Sequence, residues 1–323
     1  MSRLVLIGTT VDVIHFPSDS VPIGWTGTTV ALGNFDGLHR GHLKILEKVR
    51  DRADEHGGTA VILTFEPHPP RIVRPDRAPR LLMTQRQKLQ GLEEAGMDGV
   101  VVVKFSLELS QWEPETFVRN VLVNWLGVKN VCVGANFLFG RDRGGNFSLL
   151  RSLGGRYGFR AEKVEPVRYK EFVVSSTRLR RLVSEGLVDE AGALFGHHYA
   201  IEGKVVKGRG RGQQHGFPTA NLDVENELLP TDGVYATTVT VDGIIKPSIT
   251  NIGVRPTFES AGDRTVETHL LSEAVGDLYG QRIAVSFVQR IRGERAFSNA
   301  QSLVSQIAKD CEQAKELFGR ISL

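Results

Sequence analysis

The sequence predicts an α/β protein in two parts: a parallel sheet covered by helices on both faces, then a small antiparallel β-barrel with a terminal helix. Three observations carry this prediction. First, up to about residue 196, continuous apolar runs alternate with segments of helical spacing, the pattern of strands buried on both faces. Second, from Tyr199 onward the segments are short, alternating and rich in valine, threonine and glycine, with turn residues between them. Third, Phe297 to Leu317 returns to helical spacing. A length of 323 residues suits two domains, at roughly 150 residues each. The change of pattern places them at 1–196 and 197–323.

In the first part, Thr29 to Leu32 reads as a buried strand, followed by amphipathic helical spacing over Leu43 to Arg50. Thr59 to Phe65 is a second strand, Gln85 to Gly96 a helix, and Gly99 to Phe105 a third strand. Pro114 to Trp125 is helical, with Pro in its first turn. Asn130 to Gly134 and Arg160 to Val167 close the sheet. The first 28 residues carry no motif and fit only an extra edge element. Ser175 to Gly186 reads as a helix with serines as N-cap material, and a short helix follows to about Phe195. The barrel segments are Tyr199 to Val206, Val234 to Val241, Ile244 to Ile252, Val266 to Leu271 and Ile283 to Val288.

The richest ten residues are Gly33-Asn34-Phe35-Asp36-Gly37-Leu38-His39-Arg40-Gly41-His42, between the first strand and its helix. A glycine-rich turn there offers free N–H groups at a helix N-terminus, where anions bind. His39 and His42, three apart, share one face of the first helical turn. Half of a zinc site is the competing reading, although no companion ligands stand out in the sequence. Ligands in parallel sheets bind beyond the carboxyl ends of the strands. Glu66 to Pro69 and Gly134 to Gly140, which includes Asn136, fall at such ends. Ser175, Ser176, Thr177 and Arg178 open a later helix and could form a second anion site as well as a cap.

Composition narrows the classes. Hydrophobic residues at 41% and charged residues at 24% describe an ordinary globular chain. A net charge of +3 suits small anionic substrates but is too slight to argue for nucleic acid. Two cysteines, Cys132 and Cys311, exclude a disulfide framework and make a reducing cytoplasm the default. No run approaches the roughly 18 apolar residues of a membrane span, and no secretory leader is expected. Nothing in the sequence sets an oligomeric state.

The second part opens with a glycine-dense, arginine-bearing stretch from Gly208 through Gly210 to Gly216, suited to wrapping a polyphosphate or to forming a mobile hairpin loop. Thr219 and Asn221 are oxygen donors two apart, so on an extended segment they point to one side. Mg²⁺ prefers such oxygens, with phosphates completing its shell. Pro218 to Asn221 is equally a strand start. By alternation Glu267 and His269 share a face opposite Val266; an acid there is ordinarily a solvated strand position.

The glycine-rich strand–turn–helix with its two histidines resembles the nucleotidylyltransferase superfamily. Those proteins join ATP to a phosphate-bearing partner and release pyrophosphate. Gly216 to Asn221, Asp232 to Tyr235, Asn251 to Thr257, Val266-Glu267 and Leu278 to Gly280 resemble the riboflavin kinase module in order and spacing. Together they make the chain similar, from about Thr29 to Asp310, to the bacterial bifunctional riboflavin kinase/FAD synthetases. The resemblance also covers Thr64 to Pro69, Ser175 to Thr177 and Ile291 to Phe297.

The resemblance implies a Rossmann-like nucleotidylyltransferase domain ahead of a riboflavin kinase barrel. It implies two reactions: ATP phosphorylates riboflavin to FMN, releasing ADP, and a second ATP adenylylates FMN to FAD, releasing pyrophosphate. For adenylylation it assigns ATP contacts to Gly33, Asn34, Phe35, Gly37, His39, His42, Asn136, Ser175, Ser176, Thr177 and Arg178. For the kinase it assigns phosphate contacts to Gly203, Lys204, Gly208, Gly210, Gly216, Pro218 and Thr219, Mg²⁺ to Thr219 and Asn221, and the base to Glu267. Three departures from the family pattern stand out. The junction Phe195-Gly196-His197-His198-Tyr199 replaces Leu-Gly-Arg-Pro-Tyr, Asn136 stands where aspartate is frequent, and Gly212 to His215 lacks the usual Arg-x-Leu. Two rivals remain: a single-activity nucleotidylyltransferase, and a flavin-binding regulatory protein with an inactive second domain.

Overall fold

In the computed structural model, residues 11–208, 216–254, 264–272 and 276–321 are described. By compactness the chain divides into two units. The first comprises 1–80 and 85–175; the second comprises 81–84 and 176–323.

The first unit is built on β1 (Asp12–Phe16), β2 (Thr29–Leu32), β3 (Ala60–Glu66), β4 (Gly99–Lys104), β5 (Asn130–Gly134) and β6 (Arg160–Val164). All pairings are parallel, in the order β1-β4-β3-β2-β5-β6. The strands read as continuous apolar runs because both faces are covered. Val30, Leu32, Val61, Leu63, Val101, Val103, Val131 and Val133 pack with helical residues on one face. There they meet Phe117 of α5 (Pro114–Phe117), Val118, Val121 and Leu122 of the helical continuation Val118–Trp125, and Leu150 and Leu153 of α6 (Phe147–Tyr157). The other face is covered by α1 (Arg40–Glu55), through Ile45, Leu46, Val49 and Ala53. Also in this unit are α2 (Pro69–Val73), α3 (Gln85–Glu94) and α4 (Leu107–Ser110). A two-stranded hairpin, β7 (Arg168–Tyr169) with β8 (Phe172–Val173), completes it.

Four features of this unit were not specified by the periodicity. The motif-free N-terminal stretch supplies β1, an edge strand pairing in register with β4. The segment 114–125 is helical as expected, but Val118–Trp125 winds as a π-helix, a rarer form than the α-helix. Strand β6 ends at Val164. The β7–β8 hairpin is too short to show a period at all.

The second unit holds α7 (Ser176–Glu185), α8 (Val188–Phe195) and six strands: β9 (Tyr199–Val206), β10 (Ala220–Val224), β11 (Gly233–Val241), β12 (Ile244–Val254), β13 (Arg264–Leu270) and β14 (Arg282–Gly293). They close as β10-β13-β12-β11-β14-β9, every pair antiparallel. Closure leaves no free edge. The expected barrel is present with one strand more than its alternating segments suggested. That strand, β10, is short and starts beside Pro218, where turn chemistry and strand chemistry overlap.

Helix α8 packs on β9 and β14. Phe195, Tyr199 and Phe287 form a stacked column, with centroid spacings of 5.9 and 6.3 Å. Leu81–Thr84 also packs here, although it lies far from the barrel in sequence. The Leu81 N–H donates to Glu227 at 2.9 Å, and the Thr84 hydroxyl donates to Glu202 at 2.6 Å. Glu202 is 1% exposed, and a carboxylate so placed needs partners.

Helix α9 (Ala300–Arg320) packs Cys311 and Ala314 against Ala236 and Ile249 of the barrel. Its Asp310, 2% exposed, accepts from Arg292 Nε at 3.0 and 3.1 Å and from Gln306 Nε2 at 2.7 Å. Removing Arg292 strands the buried Asp310 carboxylate, so Arg292→Met is expected to destabilise this unit by about 3–5 kcal/mol. Denaturant unfolding measures it; a loss under about 1 kcal/mol would mean the pair is not a structural anchor.

Candidate functional site

Parallel strands bind ligands where the chain reverses its direction of travel across the sheet. Here β2 has β3 on one side and β5 on the other, with Ala31 opposite Cys132. The loops leaving β2 and β5 therefore flank one crevice. The first is the Gly33–His42 segment; the second begins at Gly134 and carries Asn136.

The Gly33–His42 turn is tightly determined. The Gly33 N–H donates to the Leu63 carbonyl at 3.1 Å, and the Thr64 hydroxyl donates to the Asn34 carbonyl at 3.3 Å. Phe35, Gly37 and Leu38 have φ of 47°, 94° and 32°. For Phe35 and Leu38 this backbone is strained by about 1–3 kcal/mol each, offset by burial of both side chains.

His39 is the N-cap of α1 and is 5% exposed; its Nδ1 accepts the His42 N–H at 3.2 Å. An Nδ1 that accepts leaves the proton of a neutral ring on Nε2, where it can be donated to an anion. The two imidazoles stack at 3.7 Å and 14°, and Phe35 lies 5.2 Å from the His42 ring. Gly41 makes room for this: a Cβ there would stand 3.1 Å from the His39 ring. The pair is therefore one rigid unit at a helix N-terminus. Among the described residues no group of three or more His, Cys, Asp or Glu could hold a metal, which leaves the zinc reading without ligands.

Around this centre the unit adds residues that periodicity could not reveal. The guanidinium of Arg40 lies 6.0 Å from the Tyr169 ring in the hairpin, and Lys44 donates to the Glu165 carbonyl. Lys88 of α3 is half-buried; burial pushes its amine below the usual lysine range, while the carboxylates of Asp36 and then Glu66 pull it back. On the β5 side the Phe137 N–H donates to the Gly134 carbonyl at 3.0 Å, forming the turn that exposes Asn136. Ser175 ends the first unit; the carbonyl of the preceding Val174 would be 3.8 Å from a Cβ on Gly41. Ser176, Thr177 and Arg178 open α7 in the second unit. Neither cysteine competes as a nucleophile, since burial pushes the Cys132 thiol up to about 12 and that of Cys311 up to about 11.

A second cluster lies on the barrel. Asn221 of β10 and Asn251 of β12 both stand opposite Glu267 of β13. Directly opposed residues point to one face, so the three form a row across three strands. The alternate face is occupied by Val266 and Thr268, both buried. Glu267 and His269 share the face of β13 opposite the buried Val266, as alternation predicts; the His269 Nδ1 donates to the Pro218 carbonyl at 2.8 Å, and its ring meets Phe217 edge-on at 5.5 Å. That bond ties the segment bearing Pro218 and Thr219 to the strand bearing Glu267. Gly203 and Lys204 sit on β9, and Gly208 lies just past its end, with the Asn221 Cγ 2.6 Å from where a Gly208 Cβ would stand. Gly216 is left-handed at φ 81°. Gly210 and Gly212 to His215 lie outside the described residues, as does Arg255 to Thr257. Asn251 joins the row through its register, a relation that sequence spacing does not reveal.

Comparison with known proteins follows the same division. The FAD synthetase family model matches residues 22–178, and the riboflavin kinase model matches residues 195–318. A bifunctional riboflavin kinase/FMN adenylyltransferase of Pseudomonas fluorescens is 38% identical over 291 residues, covering 90% of this chain and 93% of its own. The protein of the same description from Escherichia coli (strain K12) is 38% identical over 297 residues, covering 91% and 93%. A crystal structure described as a macrolide-efflux protein from Streptococcus pneumoniae superposes with a TM-score of 0.84 at 25% identity, covering 94% of this chain and 99% of that one. Among the described residues no helix is long and apolar enough to cross a membrane.

Proposed function

Because this chain belongs to the family of bifunctional riboflavin kinase/FMN adenylyltransferases, making FMN from riboflavin and FAD from FMN at the expense of ATP, we propose that the two reactions are carried by two separate residue sets. Residues 1–196 serve adenylylation and 197–323 serve phosphorylation. The observation that carries the division is chemical: a carboxylate flanked by two amides on the barrel, and stacked imidazoles with backbone donors at a helix N-terminus on the sheet.

In the kinase reaction, the terminal hydroxyl of riboflavin attacks the γ-phosphorus of ATP. The new P–O bond forms as the bond to the β–γ bridging oxygen breaks, and ADP leaves. A neutral hydroxyl must lose its proton, and Glu267 takes it. Asn221 and Asn251, beside it in register, orient the carboxylate and the reacting groups. Gly203, Lys204, Gly208, Gly210, Gly216, Pro218 and Thr219 contact the phosphates.

The donor set fits Mg²⁺. The side-chain oxygens of Thr219 and Asn221 are hard, few and neutral, suiting an ion that completes its shell with ATP phosphates. When bound, the ion neutralises charge on the β- and γ-phosphates. Gly208 holds Asn221 in place by close backbone approach. Gly208→Ala is expected to displace that side chain and raise the Mg²⁺ concentration for half-maximal FMN formation several-fold, about 3–10-fold. An unchanged Mg²⁺ dependence would remove Asn221 from the metal set.

In adenylylation, an FMN phosphate oxygen attacks the α-phosphorus of a second ATP. The bond to the α–β bridging oxygen breaks and pyrophosphate leaves. The nucleophile is already an anion, so donors are needed rather than a base. His39 Nε2, His42 and the α1 N-terminus supply them, with Gly33, Asn34, Phe35 and Gly37 shaping the cradle. Asn136 contacts the nucleotide from the β5 side. The family resemblance assigns further ATP contacts to Ser175, Ser176, Thr177 and Arg178. Free small anions are the substrates, without nucleic acid or membrane, and the cytoplasm is where they would be met.

Incubating the purified chain with riboflavin, ATP and Mg²⁺ tests the whole reading. FMN followed by FAD is expected. FMN alone would leave an inactive first half, and FAD only from supplied FMN would leave an inactive barrel.

A further inference from the structure

The barrel face that carries Glu267 has two unlike sides. On one side the register runs from Glu267 to Asn221 of β10 and on to Val206 of β9, with Lys204 two residues along β9 on the same face. On the other side it runs to Asn251 of β12, with Gly253 two residues along and opposite Thr265. A Cβ on Gly253 would stand 2.5 Å from Glu294 Oε1, 3.2 Å from Glu294 Cδ and 3.4 Å from Asn251 Nδ2. The missing Cβ therefore lets a second carboxylate lie on this face. It sits beside Asn251, over a residue about 7 Å along the strand from the Asn251–Glu267 row.

Glu294 is exposed, but the chain on either side of it is anchored. Arg292 pairs with the buried Asp310 at 2.9 Å. Arg295 donates to Gln306 and lies over the Phe297 ring at 4.7 Å. Both flanking arginines are engaged elsewhere, and the carboxylate between them lies across β12. Charge then gives the face a direction. A carboxylate repels a triphosphate, so ATP is favoured on the Lys204–Asn221 side and disfavoured at Glu294. A group placed between Glu267 and Glu294 must instead be uncharged and rich in donors, because an ionised carboxylate only accepts. The ribityl chain of riboflavin is such a group: secondary hydroxyls follow in series behind the terminal hydroxyl that is phosphorylated.

We propose that Glu294 is a specificity-determining residue of the kinase reaction: its carboxylate accepts a hydrogen bond from a secondary ribityl hydroxyl, so that the terminal hydroxyl lies at Glu267 with the ATP phosphates beyond it. This rests on the reading of the Asn221–Glu267–Asn251 row as the phosphorylation site.

The test uses the full chain and two acceptors: riboflavin, and the analogue whose side chain is an unbranched hydroxypentyl group, which keeps the terminal hydroxyl and lacks the secondary ones. Phosphorylation of each is measured at varied acceptor, ATP and Mg²⁺. Wild type is expected to prefer riboflavin by about 10–100-fold in kcat/KM, the worth of one charge-assisted hydrogen bond. E294A should raise the KM for riboflavin about tenfold, leave the KM for ATP unchanged and cut the preference to within about threefold. G253A, whose Cβ would occupy the place of the carboxylate, should lower the preference in the same way. FAD formation from supplied FMN, on the same preparations, should stay at the wild-type rate in both variants. A wild type without the preference, or an E294A variant that keeps it, overturns the proposal. So does an E294A variant whose main change is in the KM for ATP or in the Mg²⁺ requirement, because that result puts Glu294 on the phosphate side. If E294A does not accumulate folded, E294Q decides by the same preference. Failure of the row itself is a separate result: Glu267→Gln would then retain FMN formation.

Discussion

Replacing Glu267 by Gln lowers FMN formation from riboflavin by about 10²-fold or more, and FAD formation from supplied FMN continues at the wild-type rate. The substitution keeps the shape of the side chain and its place opposite Asn221 and Asn251. It removes only the capacity to take a proton. A hundredfold loss corresponds to about 2.7 kcal/mol of barrier, within the range of general-base catalysis. Because Gln still accepts and donates hydrogen bonds, the KM for riboflavin should change little. The measurement is steady-state FMN production at saturating ATP and Mg²⁺, with FMN adenylylation as the internal control for folding. A kinase rate within about threefold of wild type would remove Glu267 as the base.

The double substitution His39→Ala/His42→Ala is expected to abolish FAD formation and leave FMN formation intact. Two donors to the transferring phosphates vanish at once; losing a single preorganised donor typically costs about 10²–10³-fold in kcat. His39 has a second role, since its Nδ1 caps α1. Its removal therefore also destabilises the helix start by about 1 kcal/mol. His42→Ala alone keeps the cap, so the two single variants separate catalysis from helix stability: both lose FAD formation, and only His39→Ala lowers the unfolding midpoint of the first unit. Loss of FMN and FAD formation together would show that the halves do not act independently.

Most of the architecture was legible in the chain because burial writes periodicity into it. The run Gly99–Lys104 is a continuous apolar strand because β4 lies inside the sheet, between β1 and β3. The alternation in Arg264–Leu270 appears because one face of β13 is buried and the other carries Glu267 and His269. The histidine turn was readable because its glycines, its two histidines and the start of the helix stand at fixed offsets along the chain. Where the elements were too short or too exposed to be periodic, the reading fell short. β10 is five residues long and begins in turn-like sequence. The hairpin Arg168–Val173 has two residues per strand. Leu81–Thr84 gives no hint that its partners are Glu202 and Glu227, more than a hundred residues away.

By itself the sequence determined the two fold classes, the order of their parts, the glycine-rich histidine turn and the family with its two activities. These are local properties: a period, a cap, a turn residue or a spacing is stated within a few neighbouring positions. The tertiary structure alone decided which distant side chains share a charge environment. It set Asn251 beside Glu267 through strand register, tied His269 to Pro218, and stacked His39 on His42 with Nδ1 turned to the helix. Register and helix docking arise from long-range packing, and no spacing along the chain encodes them.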